Sequence, residues 1–246
     1  MSCCVLLAYV LSSCAGGEPT PKDAQFEKEM HEWEAGLHKV VQWKPLKIIE
    51  AVSRRGRLEA LDDGSLKAPA RLAEKEQYTI KATSELNEIT AFRLEVLPEA
   101  GRVGRTGNAV LSEFQVRTAQ PALQIAAASA DFAPKGFGPM AALDGNAKTG
   151  WAFAGATGTA HAVVFELAKP LNVAGETQLT FVLSQDFSSR SLNRVRITAT
   201  NAAPPVRELP ESIRQTIALE PSERSPEQRS ELAEYFRSTA KPALQR

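Results

Sequence analysis

The chain has 246 residues, 43% of them hydrophobic and 24% charged, enough for one large domain or two small ones. Lys plus Arg equals Asp plus Glu at 29 each, so the basic excess of a nucleic-acid binder and a polybasic membrane patch are both missing. All three cysteines, Cys3, Cys4 and Cys14, precede residue 15, which leaves the body without a disulfide core, a Cys-rich zinc site, a thiol nucleophile or a haem attachment. The three histidines, His31, His38 and His161, are too scattered for a His-based metal centre.

Residues 1–21 read as a signal-like segment followed by a linker. The run M-S-C-C-V-L-L-A-Y-V-L-S-S-C-A-G-G is apolar, then small, and too short to span a bilayer as a helix. Leu11-Ser12-Ser13-Cys14 resembles a bacterial lipobox, which makes Cys14 a candidate lipidation site. No Lys or Arg precedes the apolar run, so the n-region departs from that pattern. A misplaced start codon is the competing reading.

Residues 22–42 carry Phe26, Met30, Trp33, Leu37 and Val40 at spacings of 4, 3, 4 and 3, one apolar stripe on a helix. The stripe is expected to pack on the body of the domain; a partner-binding face is the alternative.

From 43 to 200 the pattern changes to short β-rich runs separated by turn residues. They are L-K-I-I-E-A-V, R-L-E-A-L, Y-T-I-K-A-T, I-T-A-F-R-L-E-V-L, A-V-L-S-E-F-Q-V-R-T, H-A-V-V-F-E-L, T-Q-L-T-F-V-L-S and N-R-V-R-I-T-A-T. In the Ile89–Leu97 run, Thr90, Phe92, Leu94 and Val96 form the set expected to face the core. Asp62-Asp63-Gly64-Ser65 is a turn between two runs. The fold class expected from this pattern is mainly β: a sandwich of jelly-roll type with an N-terminal amphipathic helix and a C-terminal helical tail. Residues 201–246 are read as a hinge (N-A-A-P-P-V-R-E, 201–208) and that tail. Ser225-Pro226-Glu227-Gln228 is a capping box, and Leu232, Tyr235 and Phe236 share one helix face.

No nucleophile elbow, phosphate-cradling loop, H-E-x-x-H or G-x-G-x-x-G is present. The stretch Gly101 to Asn108 lies between strands and reads as a loop whose arginines, Arg102 and Arg105, could contact an anion. Nothing singles out a carboxylate pair for glycoside hydrolysis among the 29 acids, so a hydrolase is the remote alternative.

The informative stretch is L-D-G-N-A-K-T-G-W, 143–151. Asp144, Asn146 and Thr149 supply oxygens, and Gly145 permits a tight turn. Calcium takes six to eight oxygen ligands, and Glu113 in L-S-E-F is a candidate remote donor. On the residues alone a plain turn is favoured over a cation site. Trp151 is either a core residue or a platform for a sugar face, with core favoured. Trp151, His161 and Arg105 are the candidate ligand contacts.

In order along the chain, W-K-P-L, D-D-G-S, Y-T-I, I-T-A-F-R-L-E-V-L-P, G-N-A-V-L-S-E-F, A-S-A-D-F, L-D-G-N-A-K-T-G-W-A, H-A-V-V-F-E-L, L-T-F-V-L-S-Q and N-R-V-R-I-T-A-T resemble one region of planctomycete-type proteins that carry a cytochrome c domain. That region lies between two long domains of unknown function and is similar to galactose-binding-like, discoidin-type sandwiches. The resemblance implies a structural calcium held by a D-G-N-x-x-T-x-W loop and an L-S-E strand, matched here by Asp144, Asn146, Thr149, Trp151 and Glu113. The strand precedes the loop, as in a circular permutation. The haem motif and both flanking domains are missing from this chain, and Ala109 stands where the family tends to have an aromatic.

The expectation is therefore a non-catalytic, exported, envelope-associated binding module. It would be a standalone copy of that region or a piece of a split gene. Carbohydrate is its expected ligand, calcium its expected ion, and haem-domain or flanking-domain proteins its expected partners. Haem and nucleic acid have no place in this chain, and a membrane is reached only through a lipid anchor. The alternative is a structural or assembly domain that makes protein–protein contacts without a small ligand.

Overall fold

A computed structural model describes residues 21–37, 41–99, 109–119, 122–156, 158–173, 177–187 and 191–240. The candidate residues Cys14 and Arg105 lie outside them, as does Val40 of the stripe.

The described residues begin with α1 (Pro21–Leu37), then β1 (Lys44–Pro45), β2 (Lys47–Ser53), β3 (Gly56–Arg57), β4 (Glu59–Ala60), β5 (Leu66–Lys67), β6 (Glu76–Thr83) and β7 (Glu88–Val96). They continue through β8 (Val110–Leu111), β9 (Glu113–Arg117), β10 (Ile125–Ala130), β11 (Trp151–Ala152), β12 (His161–Asn172), β13 (Leu179–Gln185) and β14 (Arg194–Thr200). After these come α2 (Glu211–Ile217), α3 (Pro226–Tyr235) and a π-helical turn over Phe236–Ala240, where the described residues end. The chain is mainly β, built from antiparallel sheets consistent with a sandwich.

The first sheet runs β10-β12-β7-β14, with β5, β4 and β1 added beyond β14. The second runs β3-β2-β6-β13-β9, and β8 pairs with β11 as a separate ribbon. Period-two alternation explains the second sheet. Tyr78, Ile80 and Ala82 of β6 and Leu179, Phe181 and Leu183 of β13 are fully buried, while the residues between them are only half-buried. Between the sheets Phe92 meets Phe181 edge-on at 5.1 Å, and Phe114 stacks on Phe165 at 3.9 Å. Each such ring contributes about 1.5–3 kcal/mol by leaving water.

The first sheet is buried on both faces. Phe92, Leu94 and Val96 of β7 face the core as expected, but Thr90 does not. Its hydroxyl donates to the Ala202 carbonyl at 2.7 Å, with the Thr200 carbonyl 3.2 Å away, and Ile89 takes the core position instead. A bulge opposite, between Glu166 and Leu171 of β12, shifts the register there.

Residues 201–208 lie along the outer face of this sheet as a strap. Val206 packs on Ala91 and Val164, beside Val41 and Trp43. The Val206 amide donates to Glu166 Oε2 at 2.6 Å, and the Glu208 amide to Ser129 Oγ at 2.8 Å. Arg93 holds Glu208 at 2.8 Å. These bonds fasten a segment that composition marks as a hinge.

The described helix α1 is Pro21–Leu37, residues 41 and 42 are not helical although the expected helix reached 42, and the stripe does not lie on the sandwich. Phe26, Met30, Trp33 and Leu37 pack with Leu209, Ile213, Ile217, Leu232, Tyr235 and Phe236 in a separate helical core. A buried Glu34–Arg224 pair ties α1 to the C-terminal helices. The Ser225 capping box forms as expected: Gln228 N donates to Ser225 Oγ at 3.2 Å, and Ser225 N to Gln228 Oε1 at 2.8 Å.

Candidate functional site

The ribbon of β8 and β11 sets the site. Trp151 pairs with Leu111 and Ala152 with Val110, so the 143–150 loop is delivered beside the strand that bears Glu113. Gly150 makes the close approach possible. A Cβ there would sit 2.4 Å from Leu111 O and 2.9 Å from Ser112 Cα, so no other residue fits without moving the backbone. Gly145 takes a φ of +74° at the tip of the loop. The charge of Asp144 acts on Glu113, as do the Gly145 and Asn146 amides of the loop.

The oxygens of the loop are crowded. Thr149 Oγ1 lies 2.9 Å from Asp144 Oδ1, 2.8 Å from Asp144 Oδ2 and 2.8 Å from Asn146 O. One hydroxyl carries one proton and can donate to only one of those three acceptors at full strength. The Asn146 amide adds one donor to Asp144 Oδ1 at 2.9 Å. The Asn146 side chain is turned to Lys148 N at 3.1 Å, so Asn146 joins the cluster through its main-chain oxygen. Buried Glu113 Oε1 has no hydrogen-bond partner. Burial first, then the charge of Asp144, hold the Glu113 carboxyl above its ordinary value against the pull of the two amides, and Asp186 adds to the push.

The group is thus the Asp144 carboxylate, a hydroxyl and a peptide oxygen that also accepts from Thr149 N at 3.0 Å, with the Glu113 carboxyl under the influence of the Asp144 charge. This chemistry fits a hard oxygen-seeking cation, with Asp144, Thr149, the Asn146 carbonyl and Glu113 as its holders. Among the described residues no three of His, Cys, Asp and Glu gather as a metal-binding group, so the fit depends on the hydroxyl and peptide oxygens. Gly150 escapes a reading of ligands alone, although a glycine directly before Trp151 is the visible signal.

The two described ligand-contact candidates are interior. Trp151 is 0% exposed; its Nε1 donates to Phe132 O at 2.8 Å, and its ring meets Phe153 edge-on at 4.6 Å. His161 is 6% exposed and stacks on Phe153. Its Nδ1 faces Asp131 Oδ2 at 3.2 Å and its Nε2 faces the Ala156 carbonyl at 2.5 Å. A carbonyl and an ionised carboxylate only accept, so both ring nitrogens are set to donate and the imidazolium is favoured. Burial alone would lower the His161 pKa, but the bonds to Asp131 and Ala156 and the Asp131 charge outweigh it and raise the value. Neither ring presents a face to a sugar, and the expected contacts at Trp151 and His161 are withdrawn for that reason.

No family model, curated protein or solved structure matches the chain.

Proposed function

We propose that the chain is a non-catalytic β-sandwich binding module of the cell envelope, clamped by calcium at the Asp144–Thr149 loop, with carbohydrate as its ligand class. The observation that carries the cation is Thr149 Oγ1 placed within 2.9 Å of three oxygens, beside a Glu113 carboxylate oxygen that lacks a partner. A bound cation would supply the positive charge that Asp144 and Glu113 lack and would fix the loop against β9. The carbohydrate assignment rests on the resemblance of the sequence motifs to galactose-binding-like modules and on neither Trp151 nor His161. The envelope assignment rests on the signal-like first residues.

The assembly-domain alternative loses its motive, because the apolar stripe of α1 is spent on the chain's own C-terminal helices.

Thermal unfolding tests the cation. EDTA should lower the melting temperature and added Ca²⁺ restore it, by the equivalent of about 2.7 kcal/mol at a hundredfold excess over Kd. Glu113→Gln should fold and lose the response. An unchanged melting temperature at saturating Ca²⁺ retires the clamp. A glycan array on the native chain tests the ligand class, and binding to no glycan removes it.

A further inference from the structure

We infer that the hairpin corner bearing Arg54, Arg55 and Arg57, with Arg71 and Lys75 beside it, binds an acidic polysaccharide carrying sulfate or uronate groups. The inference rests on the reading of the chain as a binding module and is independent of the cation loop. The β2–β3 hairpin turns through S-R-R-G-R, and its three arginines are exposed at the tip. Glu76, at the start of β6, is 1% exposed. Its carboxylate accepts from Arg54 N at 2.7 Å, Ala73 N at 2.9 Å and Gln77 N at 2.9 Å. One buried acid therefore pins the hairpin tip to the neighbouring loop, which carries exposed Arg71 and Lys75. The backbone of the corner is fixed before any ligand arrives.

Charge at the corner is unbalanced although the chain as a whole is neutral. Arg57 reaches Glu50 only at 3.9 Å, and Glu50 is already held by Lys81 at 2.8 Å. Among the described residues, Arg54, Arg55, Arg71 and Lys75 form no ion pair. Besides Glu50, Glu76 lies at the corner with its carboxylate spent on amides, and Glu74 is exposed in the same loop as Arg71 and Lys75. By contrast Arg93, Arg194 and Arg196 of the first sheet each face a carboxylate. Guanidinium forks suit the paired oxygens of sulfate and carboxylate, and several on one corner suit a polymer with repeating anions. The corner residues include no aromatic ring on which a nucleic-acid base could stack, and the apolar Leu72 between Arg71 and Lys75 packs on the core and is not free to enter a bilayer.

The test is binding of the full chain to heparin and to polygalacturonate at low ionic strength in EDTA. Neutral dextran, an oligo-thymidylate and phosphatidylserine vesicles are the comparison probes. An acidic polysaccharide should bind, and added salt should weaken it. Arg54→Ser with Arg55→Ser, and separately Arg71→Ser with Lys75→Ser, should each weaken binding about tenfold or more at an unchanged melting temperature. The Arg54 amide survives the first pair of changes, so the Glu76 pin stays intact. Failure of both polysaccharides to bind, binding that both variant pairs leave unchanged, or equal binding of the oligonucleotide or the vesicles would overturn the inference. Because EDTA is present throughout, loss of the calcium response in the separate melting experiment leaves this result standing, and the reverse holds too.

Discussion

Two turns in this molecule share a design and differ in their company. Asp63-Gly64-Ser65 and Asp144-Gly145-Asn146 both place an acid before a glycine of positive φ, +78° and +74°. In both, the acid accepts from the amide two residues on, at 3.0 Å from Ser65 and 2.9 Å from Asn146. Asp63 then finds cations. Arg194 reaches its carboxylate at 2.5 Å and Arg196 stands at 4.0 Å. The Ser65 hydroxyl and amide, followed by Arg194, draw its pKa down to about 2. Asp144 finds another acid, Glu113, whose pKa is raised. Identical turn chemistry is self-sufficient at the first site and short of positive charge at the second. A turn motif therefore says little about a cation until its neighbours across the fold are known.

The largest way to break this contrast is Gly150→Val. The added carbons meet Leu111 O and Ser112 Cα, so the loop must lift away from β8 and from Ser112, the residue before Glu113. A cost of about 2–3 kcal/mol is expected, and Ca²⁺ should no longer raise the melting temperature. A normal calcium response in this variant would show that contact between loop and strand is unnecessary. Next, Glu113→Arg gives the second turn an internal cation like that of the first. The variant should fold, lose its calcium response and be no less stable than the native chain in EDTA. Destabilisation in EDTA would mean that Glu113 is held by contacts other than the loop.

A smaller change weakens the first turn. Arg194→Ala removes the closest cation from Asp63 and the Nε bond to Ser65 Oγ at 2.7 Å. Both partners are partly exposed, so the loss should stay at or below about 1 kcal/mol by chemical denaturation. Added Ca²⁺ should not repair it, since Arg196 still stands 4.0 Å from the Asp63 carboxylate. Recovery with Ca²⁺ would erase the distinction between the turns.

Much of this was legible from residue patterns, and the failures have physical causes. Long alternating runs such as Tyr78–Thr83 declare their strands because one face meets the core and the other meets water. The strand β10, I-A-A-A-S-A, escapes because its alanines lack β preference; pairing with the long β12 makes it extended. The strap at 201–208 looks like a hinge by composition, yet its amides are bound by Glu166 and Ser129, far away in sequence. The stripe of α1 was visible, but its partner was not, since a stripe does not say which apolar face it meets. At the candidate site the donors Asp144, Thr149 and Glu113 could be named from sequence. The burial of Trp151 and the steric demand at Gly150 depend on how β8 and β11 pair.

The subtlest effect is the opposite response of the two acids to pH. Asp63 has a folded pKa of about 2, below its ordinary 3.8. Its contribution to stability is present above 3.8 and is lost as pH falls toward 2. Glu113 has a folded pKa raised above 4.5, so its protonated form is favoured by folding. The stability gained from that proton is fully present below 4.5 and is lost as pH rises through the raised value. His161 has the same sign: its contribution is present below 6.5 and is lost as pH rises through its own raised value. Comparing native and Glu113→Gln melting temperatures across pH in EDTA isolates the acid from the histidine, which both chains share. The variant should gain on the native chain as pH climbs past the folded pKa of Glu113, then hold level. In saturating Ca²⁺ the difference should reverse, because the ionised Glu113 would then have a cation to face. A difference that is flat in pH and indifferent to Ca²⁺ would leave the Asp144 turn as ordinary as the Asp63 turn.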